Sequence, residues 1–537
     1  MSDAVAPITT EAPIGEANLL RSSGIVAIGT GLSRATGFVR LAAAAYAIGF
    51  TSLNDTYTLA NTTPNIVYEL LLGGVLSATL VPVFVNHHAD GDDEGTSAVI
   101  SVATLALIVL SVIGVLAAPA IVRVYTVTAE SGVAADQRVV ATEFLRLFMP
   151  QIVFYGLTAL GTAVLNARRS FAAPAFAPAL NNIIVTCVLL SLPTLAGHGG
   201  KGPTLDDMHR DHALLLLLGL GTTAGVVVMT LALVPALRRS GFRFRPNLDV
   251  RNPAVREVGA LSTWTIGYVL TNQIVLLVIF VLANRHIGGI STYTGAYVFF
   301  LLPYALVAVS IMTTYVPEMA DAARLEDHQL FRDRFSSGVR LMSLIVLPAA
   351  VGYLVLARPI VRGLLQRGAL SVGSANLAGD NLRMFALGLL GYSLYLFTLR
   401  GFYAIRDTRT PFLMGLVQNG LNLVLALALE PSMGVPGLAL SFGISYAIAM
   451  VLAVWALRRR VGPLDLRRII RSLTRMLLAS LAMAAAVLVT IQVTPDVDII
   501  TTLAGVAVGA LVYVAAIFLL HVEEIDVLRD RVLRRSS

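Results

Sequence analysis

The sequence predicts an all-α polytopic membrane protein of about fourteen transmembrane helices, arranged as two six-helix lobes related by an internal repeat plus two C-terminal helices. Three observations predict it. The chain carries more apolar side chain than a core can bury, apolar runs of helix-spanning length recur from end to end, and one stretch of sequence returns at a constant spacing. Of 537 residues, 56% are hydrophobic and only 13% charged, and the mean hydropathy is +0.78. A water-soluble fold of this size would leave the surplus exposed, so the surplus faces lipid.

Apolar runs fall at about 22–49, 55–86, 97–122, 139–166, 174–193, 213–237, 257–284, 292–317, 341–357, 381–405, 411–430, 435–457, 473–493 and 498–521. Each approaches the ~20 residues that a helix needs to cross the hydrocarbon. None alternates with period two, which excludes a transmembrane barrel. An even number of crossings puts both termini on one side, and the basic residues agree. Arg168, Arg169, the run from Arg238 to Arg256, Arg324 to Arg340, Arg406, Arg409, Arg458 to Arg471 and Arg529 to Arg535 all fall on that side. About 26 basic residues lie there against about 9 opposite, which reads as cytoplasmic termini. Asp90, Asp92, Asp93 and Glu94 make one loop on that side acidic, but acids contribute little to orientation.

Several classes are excluded. The single cysteine, Cys187, forbids an intrachain disulfide and reads as a small core residue. The net charge of +7 is spent in short segments between apolar runs, which speaks against nucleic acid as a partner. His87, His88, His198, His209, His212 and His328 fall in loops or at helix ends, and no metal-ligand, nucleotide or protease motif occurs. No catalytic residue, metal or cofactor is expected, and a gradient, the membrane potential or substrate supply would drive any transport. The first residues lack the basic and apolar regions of a signal peptide and read as a disordered tail.

The repeat relates Glu143 to Asp380, Leu145 to Leu382, Arg146 to Arg383, Phe148 to Phe385, Tyr155 to Tyr392, Arg169 to Arg406, Pro174 to Pro411 and Asn182 to Asn419, always 237 residues apart. It implies two parallel halves with an interface at the membrane midplane, where transporters place substrate. The expected organisation is a tail at 1–20, an N-terminal lobe at 21–240, a C-terminal lobe at 241–462, two further helices at 463–524 that can line a lipid-accessible groove, and a basic tail at 525–537.

The residues that carry chemistry lie in the first two spans. Arg34 and Arg40 sit inside an otherwise apolar helix, where each arginine costs about 2.5–3.5 kcal/mol unless it meets a cavity or a partner. Six positions put them about 120° apart, on neighbouring faces, so they can hold one bulky anion from two heights. Guanidinium suits phosphate because it stays charged and offers forked donors. The structural alternatives are snorkelling or an ion pair with Asp55 for Arg40, and a tie to Glu69 or a carbonyl for Arg34. In the second span Asp55, Asn61 and Asn65 are candidate substrate contacts or interhelical glue, and Pro64, Gly73 and Gly74 are candidate hinges. Arg146 and Arg383 each follow an acid by three residues and read as helix-end anchors. Asn181, Asn182, Gln418 and Asn419 read as interhelical hydrogen-bonding groups.

The pattern Ser33-Arg34-x-x-Gly37-Phe38-Val39-Arg40, with Asp55, Pro64-Asn65 and Val81-Pro82, resembles the MurJ/MviN lipid II flippases of the multidrug/oligosaccharidyl-lipid/polysaccharide exporter superfamily. Leu165-Asn166, Pro174 to Pro178, Leu365-Gln366-x-Gly368, Gly401-Phe402-Tyr403-Ala404 and Arg406-Asp407-Thr408-x-Thr410-Pro411 extend the likeness over about residues 22 to 525. The resemblance implies two lobes around a cationic cavity, a groove formed by the last two helices, and alternating access that carries a lipid-linked peptidoglycan precursor outward across the bacterial plasma membrane. It also implies that Arg34 and Arg40 meet the diphosphate, and that membrane lipids and cell-wall synthesis or division proteins are partners. Leu41, Tyr68, Glu69, Val298 and Leu301 stand where many members carry other, mostly charged, residues, so this cavity is less cationic. Another lipid-linked saccharide, or a small molecule exported on the same scaffold, is the alternative cargo. A membrane glycosyltransferase would need an acid constellation that Asp206, Asp207 and Asp380 do not form, and a scaffold for cell-wall enzymes is the remaining reading.

Overall fold

A computed structural model describes residues 16–70, 80–89, 93–129, 133–197, 202–495 and 497–524. The expected hinge residues Gly73 and Gly74, the acids Asp90 and Asp92 and the basic tail at 525–537 lie outside the described residues. The helices are α1 (Glu16–Ile48), α2 (Ser52–Leu70), α3 (Val81–Ala89), α4 (Asp93–Tyr125), α5 (Ala134–Phe148), α6 (Gln151–Ala167), α7 (Ala172–Leu195), α8 (Leu205–Arg210), α9 (His212–Leu231), α10 (Val234–Arg239), α11 (Pro253–Ala283), α12 (Gly289–Pro303), α13 (Val309–Arg324), α14 (His328–Leu365), α15 (Val372–Ala404), α16 (Arg409–Met433), α17 (Val435–Val461), α18 (Leu466–Val493) and α19 (Asp498–Leu519). Among the described residues every regular element is helical.

Among the described residues eleven helical stretches are long and apolar enough to cross a membrane. The other three runs expected to span fall on α1, on α2 with α3, and on α11, where the count of fourteen rests on sequence alone. Helix α1 begins at Glu16, inside the segment expected to be a disordered tail. Cys187 corrects a second expectation, because it is exposed on α7. In a protein whose exterior is itself apolar, an apolar run does not distinguish inside from outside.

Local chemistry explains where the helices stop. Thr204 and Asp207 form a reciprocal capping box at the start of α8, and Asp211, Asn252, Asp327 and Ser371 each accept from a first-turn N–H of the helix that follows. Arg169 and Arg406 end α6 and α15 in the left-handed region, with φ of 57° and 60°. A π-helical turn over Tyr304–Ala308 follows Pro303 and separates α12 from α13, as a proline that cannot donate to the ladder invites.

Helix α1 packs on α7, α7 on α9, α2 on α5 and α6, and α15 on α14 and α17. Small residues allow the closest crossings. A Cβ on Gly388 of α15 would stand 2.2 Å from the Gly443 Cα of α17, so these backbones touch as in other membrane bundles. Polar groups pin other interfaces, those of α9 with α5 and α6. Gln151 donates to Thr223 Oγ1 at 2.9 Å, and Thr223 and Thr230 donate to the Leu147 and Phe154 carbonyls, both at 2.9 Å. The hairpin of α18 and α19 packs on α14 and is tied to it near both of its ends. Arg340 pairs with the buried Glu524, and Arg362 pairs with Asp498 at 3.2 Å. The two arginines are 22 positions apart on α14, about 33 Å along the axis, which matches the hydrocarbon thickness.

Candidate functional site

Arg34 is exposed and Arg40 half-buried on α1, and both line one cavity of about 560 Å³ with Asn61, Asn65, Tyr155 and Asn181. Arg40, Asn61 and Asn65 also line a second space of about 260 Å³, which extends past Asn54 and Tyr57 to Ser291 and Val298 of α12. The shared residues make the two spaces neighbours, so the polar lining runs from α1 and α2 to the opposite half of the chain. Neither arginine has a hydrogen bond or ion pair among the described residues. Among the described residues no carboxylate meets either guanidinium, and the open polar space offers the compensation; the Glu69 side chain, expected as a tie for Arg34, lies outside the described residues. Asn61 adds a buried side-chain oxygen without a partner among the described residues.

Asp55 occupies a different place. It is 1% exposed, and its carboxylate accepts from Ser291 N–H at 2.7 Å and Ser291 Oγ at 2.8 Å. It neither lines the described cavities nor pairs with Arg40. The acid caps the start of α12, where unpaired N–H groups and the helix dipole favour a carboxylate. Neighbouring contacts close the same end of the molecule. Ala369 N–H donates to the Tyr46 carbonyl at 2.8 Å, and Ser374 Oγ to the Phe50 carbonyl at 3.1 Å. Gly288 and Gly368 take φ of 75° and 61°, and at each a Cβ would come within 2.4 Å of the Phe50 or Tyr46 carbonyl oxygen.

Pro64 lies inside α2 and is buried. Asn182 Nδ2 donates to the Ser33 carbonyl at 3.1 Å and to Thr36 Oγ1 at 3.2 Å, tying α7 to the arginine-bearing stretch of α1. Its repeat partner Asn419 donates to Asn272 Oδ1 at 2.7 Å, tying α16 to α11. Gln418 donates to Ser445 Oγ at 3.2 Å, while Asn181 leaves its side-chain oxygen unpartnered. Asp380 bridges Arg358 at 2.8 Å and Arg383 at 3.6 Å, whereas Glu143 faces His212 at 3.9 Å.

Arg400 of α15 escaped the sequence reading. It is exposed, and the Tyr304 hydroxyl, on the π turn, lies within electrostatic reach of both Arg400 and Arg34. A charge inside the run 381–405 was the signal, and the same cost argument that singled out Arg34 applies to it. Ser291 was also missed, since nothing local marks a serine that serves an acid 236 residues away.

A multi-helix membrane protein with a polar, guanidinium-bearing space lined by α1, α2 and α12 belongs among the helical membrane transporters. The family model described as lipid II flippase MurJ matches residues 44–507, and the chain belongs to that family. A probable lipid II flippase MurJ of Vibrio cholerae is 28% identical over 481 residues, covering 88% of each chain. The lipid II flippase MurJ of Burkholderia cenocepacia is 28% identical over 458 residues, covering 82% of this chain and 84% of that one. Among solved structures, a lipid II flippase MurJ in an inward closed conformation superposes with a TM-score of 0.76 at 21% identity, covering 93% of this chain and 99% of that one. An inward-facing multidrug resistance MATE family transporter of the MOP superfamily gives 0.65 at 13% identity, covering 80% and 95%. These two likenesses concern the fold.

Proposed function

We propose that the chain is a flippase that carries lipid II, the undecaprenyl-diphosphate-linked peptidoglycan precursor, from the inner to the outer leaflet of the bacterial plasma membrane by alternating access. The observation that carries this reading is the pair Arg34 and Arg40, two guanidinium groups in one polar cavity without a carboxylate partner among the described residues. They receive the diphosphate, and Asn61 and Asn65 offer amide groups to the same ligand. Residues 21–240 and 241–462 act as two rocking lobes, with Pro64 as a bending point in α2. Both termini lie in the cytoplasm, as the arginine bias requires. On this reading the chain is a transporter and catalyses no covalent step.

The contacts of Asp55 with Ser291 and of Tyr46 with Ala369 then form the outer closure, which must open when cargo leaves. A slot of about 580 Å³ between α14, α18 and α19, walled by Ile345, Ala349, Leu356, Val487, Val506 and Val514, suits the polyprenyl tail, which never has to leave hydrocarbon. One observation favours a second cargo. Val298 lines the cavity at a position where the family resemblance implies a charged side chain, so the head group receives fewer ionic contacts on that side, and a different lipid-linked saccharide fits the same frame. Depleting the protein from growing cells tests the proposal. Lipid II accumulating in the inner leaflet supports it, accumulation of another lipid-linked saccharide alone supports the second cargo, and unchanged leaflet distributions reject both.

A further inference from the structure

The segment that joins α10 to α11 is not a slack tether. From Arg243 to Asn247 its backbone runs along the first turns of α4, and alternate N–H groups meet helix positions four apart. Arg243 N–H points to Asp93 Oδ2 at 3.5 Å, Arg245 N–H donates to Ser97 Oγ at 3.2 Å, and Asn247 N–H donates to Ser101 Oγ at 3.1 Å. The match is geometric, since four helical residues rise about 6 Å and two extended residues span about 6.6 Å. Arg168 locks the start of this strap, pairing with Asp93 and donating to the Ser240 carbonyl at 2.8 Å. Its guanidinium also sits 5.3 Å from the centre of the Phe242 ring.

Alternation then sorts the side chains. Phe244, Pro246 and Leu248 share one face of the strap and line a groove of about 760 Å³, whose other walls come from α4, α6, α9 and α10. Phe244 is 49% exposed and Leu248 61%, which is at home in lipid and costly in water. Arg238 lines the groove at the end of α10, while Arg243 and Arg245 occupy the opposite face of the strap, both exposed. An apolar slot walled by protein thus opens beside Arg238, with Arg243 and Arg245 on the far side of the strap, at the end of the bundle that the basic bias assigns to the cytoplasm.

We propose that this groove is a binding site for an anionic phospholipid, whose acyl chain lies against Phe244 and Leu248 while its phosphate meets Arg238, and Arg243 and Arg245 on the far face of the strap raise the positive potential around it. Long arginine side chains at this level reach the headgroup layer, and basic pockets between helices on the cytoplasmic side suit anionic headgroups. The rim charge selects a lipid over an uncharged amphipathic peptide. The site is separate from the transport cavity, and it involves the connector through which one half of the chain reaches the other.

The test uses the full chain with Leu248→Trp as reporter and its two native tryptophans replaced, Trp264→Phe and Trp455→Phe. The protein is placed in nanodiscs of phosphatidylcholine containing increasing fractions of either phosphatidylglycerol or phosphatidylcholine brominated on the acyl chains. The expected result is half-maximal quenching at an about tenfold lower fraction of the brominated phosphatidylglycerol, a preference of the size that a few surface arginines supply. Arg238→Gln/Arg243→Gln/Arg245→Gln reduces the preference to less than about twofold, and lysine at the three positions restores it. Equal quenching by both lipids means ordinary surrounding lipid and overturns the proposal. Absence of quenching by either means that polypeptide covers the groove, and overturns it as well. If the triple variant does not fold, the comparison of the two lipids on the reporter protein decides alone.

Discussion

Arg169 and Arg406, 237 positions apart, end their helices in the same way. Both are left-handed, with φ of 57° and 60°, and the next N–H in each case reaches back five residues, from Ser170 to the Leu165 carbonyl at 2.8 Å and from Asp407 to the Phe402 carbonyl at 2.9 Å. The sequence repeat is thus a repeat of backbone conformation as well as of side chains. An L-residue in this region costs roughly 1–2 kcal/mol, part of which glycine recovers. Arg406→Gly is therefore expected to stabilise the protein by about 0.5–1 kcal/mol, read as a higher midpoint of unfolding in detergent.

Asp55 and Ser291 allow two substitutions to be ranked. Ser291→Ala removes the hydroxyl donor but keeps the backbone N–H, and should cost about 1 kcal/mol. Asp55→Ala strips both bonds and leaves the N–H at the start of α12 buried without its acceptor, costing about 1–3 kcal/mol. If this contact holds the outer end shut, cysteines placed at Thr51 and Gly373 become more reactive to a membrane-impermeant thiol reagent in the Asp55→Ala protein than in Ser291→Ala. Equal reactivity in both would contradict a gating role.

Arg340 and Glu524 are 5% and 3% exposed, and Ser472 Oγ donates to the same carboxylate at 2.7 Å. Removing one partner of a buried pair typically costs about 3–5 kcal/mol, and here Glu523, 3.6 Å from Arg340, keeps part of the compensation. Glu524→Gln should therefore loosen the end of α19 from α14, seen as protease cleavage near residue 521 and a loss of thermal stability. Arg340→Met with Glu524→Met, which removes both charges, should lose much less.

Asp407 precedes α16, outside the membrane spans. Burial pushes its carboxyl upward, but the N–H and hydroxyl of Thr410, at 3.0 and 2.7 Å, and the nearby Arg460 outweigh that and hold it below the usual aspartate range. A depressed acid stabilises the fold above its unfolded pKa, about 3.9, and that contribution is lost as pH falls through the lower folded value. The stability difference between the native chain and Asp407→Asn should be constant near neutrality and shrink only below about pH 4. A difference that persists unchanged to pH 2 would rule out this role.

The sequence made Arg34 and Arg40 legible for a simple reason: a guanidinium in an apolar run demands compensation, and few structural options supply it. The helical class was equally plain, because length and hydropathy act locally. Asp55 was harder, because its partner lies on a helix 236 residues away and the same carboxylate could as well have faced Arg40. Cys187 was placed on the wrong side, since apolar surroundings describe both the interior and the exterior of a membrane protein. The strap over α4 was out of reach, because Ser97 and Ser101 at four-residue spacing have no meaning until an extended segment lies alongside them.

Binding of undecaprenyl diphosphate to the purified full chain and to Arg34→Ala/Arg40→Ala tests the central claim most directly. The account predicts that the double variant keeps its unfolding midpoint, because neither side chain pairs with protein among the described residues, and loses affinity by about tenfold or more, as expected when two charge-assisted contacts are removed. Unchanged affinity in a folded double variant would contradict it.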